Sequence, residues 1–172
     1  MPPYVPRSLA LAIACAAALV AGCGAETFRD SRYEGQGLAF RVGPRPPSWT
    51  RLETSHGLLA FRDEGLNATV LVNGRCGVDG DDVPLPALTR HLFLQFTERE
   101  VEEERLLPFD GREALSTTLR AKLDGVPKRF TALVLKKDGC VYDFVLVSEP
   151  GSFPRARADF DRFVMGFHTE KP

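Results

Sequence analysis

The sequence predicts an α+β fold, an antiparallel β-sheet meander with helices packed on it, preceded by a cleaved signal peptide. Asp-Gly pairs begin at Asp110, Asp124 and Asp138, equally spaced along the chain. Asp-Gly supplies the two positive φ angles of a tight hairpin turn, so equal spacing favours consecutive long antiparallel strands. Two other segments repeat apolar residues at three- and four-residue steps, which is typical of amphipathic helices.

The first residues form a secretory signal. Arg7 precedes an apolar run from Leu9 to Val20, which is too short for a bilayer span of about 20 residues. The run closes on Val20-Ala21-Gly22-Cys23, which resembles the lipobox of bacterial lipoproteins. The resemblance implies removal of residues 1–22, a diacylglycerol on the Cys23 sulfur and an acylated amine. The alternatives are a secretory peptide with an incidental cysteine, or an uncleaved anchor.

Lipidation at Cys23 would hold the protein firmly, because several acyl chains bury far more methylenes than one. No other cofactor is expected. Gly24 follows the cysteine, at the position where some inner-membrane lipoproteins carry Asp. The absence of Asp there favours an outer-membrane, periplasm-facing location in the bacterial envelope. The expected partner is therefore the membrane, contacted through the acyl chains on Cys23.

Composition narrows the class of protein further. Removing the signal leaves about 150 residues, the size of one domain. The chain has 22 basic and 23 acidic side chains, which argues against a nucleic-acid partner. Of the cysteines, Cys15 leaves with the signal and Cys23 takes lipid. Cys76 and Cys140 remain, either as a disulfide favoured by an oxidising compartment or as two buried thiols.

Residues 23–36 are predicted to be the acylated cysteine and a flexible tether, because this stretch is polar and contains glycine. Residues 37–168 are predicted to be a single domain. Leu38–Val42 begins it as a short strand, and Trp49 is expected at a domain edge. Leu58–Arg62 and Ala68–Val72 then predict a hairpin.

A helix is predicted over Pro84–Phe96, where leucine and phenylalanine recur on one face. Glu98–Arg105 fits a helix end, a loop or the start of a strand. In the meander, Arg112–Leu123 alternates and should have one buried and one wetter face, while Val141–Val147 belongs near the middle of the sheet. Ser152 is expected to cap a final helix with a phenylalanine-rich stripe that lies on the sheet.

This order of elements resembles the PsbP-like family, whose members include PsbP, Mog and DcrB. The similarity spans about Gly37 to His168 and is carried by Gly37–Val42 with Pro47 and Trp49, Asp110–Ala114, Gly139–Val147 and the final helix ending at Phe167. It implies an antiparallel sheet with helices on it, an α/β sandwich. It implies no particular function, because the fold hosts unrelated roles.

The sequence contains few candidates for chemistry. His56, His91 and His168 lack the spacing of a metal cage and are expected to be structural or superficial. Asp79, Asp81 and Asp82 are weak candidates for a Ca²⁺ site, because the ligand spacing of a calcium-binding loop is missing. The alternative is that they form a solvated turn. Neither a Gly-x-Ser-x-Gly elbow nor a phosphate-binding glycine loop occurs.

Three functions follow, in order of preference. The first is a non-enzymatic lipoprotein that presents a binding or scaffolding surface to another envelope protein. The second is a carrier of a small ligand or lipid, with a pocket between the sheet and the C-terminal helix. The third is an envelope hydrolase, which requires His56, His91 or His168 to meet a serine and a carboxylate in space.

Overall fold

The computed structural model describes residues 26–55, 57–77 and 83–171. The signal, Cys15, Cys23, His56, Asp79, Asp81 and Asp82 lie outside these residues. The described strands are β1 Thr27–Arg29, β2 Arg32–Gly35, β3 Leu38–Arg41, β4 Trp49–Leu52, β5 Leu59–Asp63, β6 Ala68–Cys76, β7 Thr97–Phe109, β8 Arg112–Leu123, β9 Val126–Lys137, β10 Cys140–Ser148 and β11 His168–Glu170. The described helices are α1 Leu85–His91 and α2 Phe153–Val164.

The strands form two antiparallel sheets. The larger one has seven strands in the order β4-β5-β6-β10-β9-β8-β7, and the smaller has four in the order β1-β2-β3-β11. β10 occupies the central position of the larger sheet, which confirms the prediction for Val141–Val147. The antiparallel α+β class is therefore confirmed.

All three Asp-Gly pairs form the predicted hairpin turns. Both residues of each pair have positive φ, for example 52° at Asp124 and 79° at Gly125. These angles match the right-handed twist of the strands on either side. The turns join β7 to β8, β8 to β9 and β9 to β10 in unbroken order.

The predicted tether is wrong over its described part. Residues 27–29 and 32–35 form β1 and β2 instead of a flexible link. Tyr33 is fully buried and stacks on Phe40 with ring centroids 5.0 Å apart. Phe28 packs on Phe61 at 5.7 Å. These two aromatic residues offset the polar composition that suggested a tether, and the fold includes residues from 27 onward.

The first helix is shorter than predicted. α1 ends at His91 and residues 92–95 form turns, because pairing with β8 begins at Thr97. Phe93 and Phe96 nevertheless remain buried and contact Phe130. The glutamate-rich segment that followed is resolved as part of β7, the long edge strand.

The larger sheet is covered on both faces. α2 and the smaller sheet pack on one face with Phe160 and Phe163, and α1 packs on the other through Leu88. For this reason the prediction of a wetter face on β8 is wrong at Ser116 and Thr118, which are 6% and 5% exposed, although Arg120 on that face is exposed as predicted.

Two smaller expectations also change. Trp49 lies on the edge strand β4, but it is 3% exposed and contacts Phe163, so it belongs to the core. Ser152 precedes α2 as predicted, yet its hydroxyl makes no capping bond and donates to the Leu66 carbonyl oxygen at 2.6 Å.

Cys76 and Cys140 are joined by a disulfide, which confirms one of the two predicted alternatives. They face each other in the β6–β10 register, with Cα atoms 4.0 Å apart. The bridge closes a separation of 64 residues. Within the described ranges, neither helix has the length and apolar composition to cross a bilayer.

Candidate functional site

A groove of about 390 Å³ opens between α2 and the strands β7, β8 and β9. We call it the helix groove. Its walls are mainly apolar and comprise Leu107, Leu133, Phe160, Val164 and Met165, and the charged Arg105 and Asp161 also line the groove. Its floor is polar and comprises Ser116, Thr131 and Arg157. The groove lies between the sheet and the C-terminal helix, the position predicted for the pocket of a carrier.

Strand alternation explains the mixed lining. Side chains two residues apart on a strand point to the same face, so Leu133 and Thr131 of β9 both face α2. Ser116 of β8 pairs with Leu133 and joins them on that face. Helical periodicity directs Phe160 and Val164 toward the same space.

Arg157 is the principal polar group of the groove. Its Nη1 donates to the hydroxyl oxygens of Thr118 and Thr131 at 3.0 and 2.8 Å. Its Nε donates to Asp161 Oδ1, one helical turn away, at 2.6 Å. Because the aspartate offsets the guanidinium charge, the floor presents hydrogen-bonding groups without a net charge of its own.

This lining suits an amphipathic ligand. The apolar walls can bury hydrocarbon or a ring, while the hydroxyls and the guanidinium can satisfy polar atoms that reach the floor. Met165, at the rim, is 64% exposed and has a flexible side chain that adapts to different shapes. The groove can therefore bind, and none of these groups forms a nucleophile–base pair.

A second polar cluster surrounds Asp110 in the β7–β8 turn. Its carboxylate accepts bonds from Lys137 Nζ at 2.6 Å and from the Thr169 amide at 3.0 Å. His168 Nδ1 lies 2.6 Å from the other oxygen. Burial acts to raise the pKa of Asp110, but these hydrogen bonds outweigh it and the pKa is lowered. The cluster attaches β11 to the larger sheet.

The Asp110 cluster fulfils only part of what a hydrolase requires. His168 meets a carboxylate, yet within the described residues no serine bonds it. His91 is exposed at the end of α1, and His56 is outside the described residues.

Asp143 is a third buried polar group, on the face of β10 opposite the groove. Burial raises its pKa, partly opposed by Arg75, whose Nη1 lies 3.2 Å away. Asn73 contacts the same oxygen at 3.5 Å. These contacts connect β6 to β10 and open into no cavity described above.

Of the predicted sites, the structure places only the cysteine pair. Cys23 and the three aspartates at 79, 81 and 82 lie outside the described residues, so lipidation and Ca²⁺ binding stay predictions. Elsewhere, in the described ranges, no three His, Cys, Asp or Glu side chains are grouped to hold a metal. Sequence reasoning missed Arg157, although its spacing of four residues from Asp161 is a detectable helical ion-pair pattern.

No protein-family model and no curated protein matches the chain. Solved structures do. Cyanobacterial PsbP (CyanoP) from Synechocystis has a TM-score of 0.60 at 15% identity, over 90% of this chain and 98% of that one. LpqN of Mycobacterium tuberculosis, described as involved in cell envelope biogenesis, has a TM-score of 0.57 at 14% identity, over 80% and 87%.

A protein of unknown function from Pseudomonas aeruginosa, PA94, gives a TM-score of 0.51 at 10% identity, over 82% of this chain and 93% of that one. Identities this low show the fold and not the function. The chain therefore has a PsbP-like fold, which confirms the architecture that the resemblance implied.

Proposed function

We propose that this chain is a lipid-anchored protein of the bacterial envelope whose domain binds a small amphipathic ligand in the helix groove. The anchor is Cys23, for the sequence reasons given above. The outer membrane, with the domain facing the periplasm, is the proposed location. The envelope role attributed to LpqN, which shares the fold, is compatible with this location.

The observation that carries the binding role is the combination of an apolar wall with a polar floor. A groove left by imperfect packing has little reason to hold an arginine and two threonine hydroxyls in one bonded set. Here Arg157 is held in place from both sides, by the threonines of the sheet and by Asp161 of its own helix. The polar groups are preorganised before any ligand arrives, which lowers the entropy cost of binding.

Native mass spectrometry of the full protein, extracted from membranes in mild detergent, tests this role. We expect a co-purified ligand on the wild-type chain and its loss in Met165→Asp, because the charge would enter the apolar wall. Leu94→Asp is the matched control, since Leu94 is equally exposed, at 63% against 64%, and lies on the other side of the sheet.

Retention of the ligand in Met165→Asp, or equal loss in both variants, would place any binding outside the helix groove. A wild-type chain that carries no ligand across several growth conditions would count against a carrier.

A protein partner is the second candidate, and one observation favours it. β7 is a 13-residue edge strand whose outer backbone is unpaired within the described sheets, and Val101 on it is 58% exposed. Edge strands of this kind accept an extended segment of a partner. A photocrosslinker at Val101 in intact cells should then capture a reproducible envelope protein, whereas one at Leu94 should not.

A further inference from the structure

We infer that the domain lies directly on the bilayer surface, with the end that carries the Cys76–Cys140 disulfide toward the lipid. This inference rests on the proposed lipidation of Cys23. We call this end, formed by residues 26, 36–37, 53–55, 57–58, 74–77 and 138–139, the proximal end. The lipid surface is its partner, and the β8–β9 turn points away from it.

Chain length sets the first limit. Three peptide steps connect Cys23 to Glu26, the first described residue, and a fully extended chain covers at most about 11 Å in that number of steps. The acylated cysteine must sit among the lipid headgroups, since its chains are buried in hydrocarbon. Glu26 is therefore held within about one headgroup thickness of the bilayer.

Contacts of Glu26 show which part of the domain is held there. Its carboxylate accepts a hydrogen bond from Gln36 in the β2–β3 turn at 2.5 Å. Its backbone also lies against Gly35, where an added Cβ would approach the Glu26 Cα to 3.1 Å. Glu26 is thus packed on the folded domain, and the β2–β3 turn shares its distance from the membrane.

The β2–β3 turn lies over one end of the larger sheet. Leu38, which follows the turn, contacts the position of Gly74 in β6 closely enough that a Cβ there would be 2.9 Å from its methyl carbon. Two residues further, Cys76 is bonded to Cys140, and Gly77 donates a backbone hydrogen bond to Gly139 at 3.2 Å. The disulfide and the Asp138–Gly139 turn therefore belong to the proximal end.

The opposite corner of the molecule is far from this end. β9 runs from Val126 to Lys137, which at about 3.4 Å per residue spans roughly 37 Å. Val126 is 51% exposed beside the β8–β9 turn. β9 is also separated from β6 by β10, so Val126 is displaced both along and across the sheet.

Charge does not hold the proximal end to the membrane. Among the described residues of this end, the charged side chains have both signs, as Glu26, Glu53, Arg75 and Asp138 show, and they form no uniformly basic surface for anionic lipids. The covalent link alone should hold it there, and added salt should leave its position unchanged.

The experiment places one fluorophore at either end of the full, acylated protein in phosphatidylcholine vesicles that contain a headgroup spin-labelled lipid. Glu53→Cys reports the proximal end, and Val126→Cys is the matched distal variant. Each introduces a single free thiol, because Cys76 and Cys140 are bonded and the Cys23 sulfur is acylated. Headgroup quenching should be strong at position 53, several-fold weaker at position 126, and unchanged in high salt.

An insertion of about 20 Gly and Ser residues after Gly24 provides the control, since a flexible chain of that length reaches about 25 Å. The insertion should remove the quenching at position 53 while the protein still floats with vesicles. Equal quenching at both positions, stronger quenching at position 126, or an insertion without effect would overturn the inference and leave the anchor intact. A protein that does not float with vesicles would overturn the anchor, and the inference with it.

Discussion

The side chains of Asp110 and Asp143 are only 7% and 6% exposed, but their surroundings shift their pKa values in opposite directions. Asp110 receives hydrogen bonds from Lys137, His168 and Thr169, which favour its charged form despite burial. Asp143 is dominated by burial, which disfavours the charge more than Arg75 restores it. The two residues should therefore respond differently to removal of the charge.

Asp110→Asn should destabilise the fold by about 2–3 kcal/mol at neutral pH, because Lys137 and the β11 backbone lose a charged acceptor. Folding lowers this pKa below the ordinary 3.8, so its stabilisation is complete above 3.8 and disappears as the pH falls through the folded value. Urea unfolding at several pH values measures this. Asp124→Asn, in an equivalent but exposed turn, should change stability by less than about 0.5 kcal/mol. Equal effects in the two turns would contradict the assignment.

Asp143→Asn should leave stability at neutral pH within about 0.5 kcal/mol of wild type, or raise it. Because folding raises this pKa, the ionised carboxylate destabilises the folded state. The free energy of unfolding should therefore fall as the pH rises from 3.8 to the pKa in the folded state, and should stay at that lower level at higher pH. The amide removes this cost, and its oxygen can still accept from Arg75. The same urea series measures it, and a loss above about 2 kcal/mol would show that the charge of Asp143 is required.

The secondary-structure predictions that the structure confirms depend on local sequence patterns. The Asp-Gly turns specified the meander because each pair sets its own backbone angles without help from distant residues. β1 and β2 were missed because they are short, polar strands. Their stability comes from Phe28, which packs on the distant Phe61, and from Tyr33, which stacks on Phe40 of the neighbouring strand. The burial of Ser116 likewise depends on where α2 lies, which no strand pattern contains.

The oxidising compartment suggested a disulfide, but the sequence could not decide between a disulfide and two separate thiols. The two cysteines meet only because β6 pairs with β10, which is far away in the sequence. It should stabilise the fold by about 4 kcal/mol, the cost of closing a 64-residue loop in the unfolded chain. Urea unfolding with and without reductant measures this contribution. The double variant Cys76→Ser/Cys140→Ser should have the same free energy of unfolding as the reduced wild type, and adding reductant should not change it. Unfolding midpoints that coincide with and without the bridge would contradict this estimate.

The sequence predicted the position of the helix groove but not the polar residues that line it. A phenylalanine-rich helix on a sheet predicted a pocket between them, whereas the polar floor depends on the pairing of Arg157 with two strands. The proposed anchor and the fold bear on each other. Because β1 already begins at Thr27, lipidation at Cys23 would hold the domain against the membrane and not on a long tether.

The proposed location and orientation both depend on processing and acylation at Cys23. The intact mass of the chain purified from the membrane fraction tests it most directly. We predict a chain that begins at Cys23 and carries the added mass of a diacylglyceryl group and an amide-linked acyl chain. A chain that retains residues 1–22, or one that begins elsewhere with an unmodified Cys23, would contradict lipidation at Cys23.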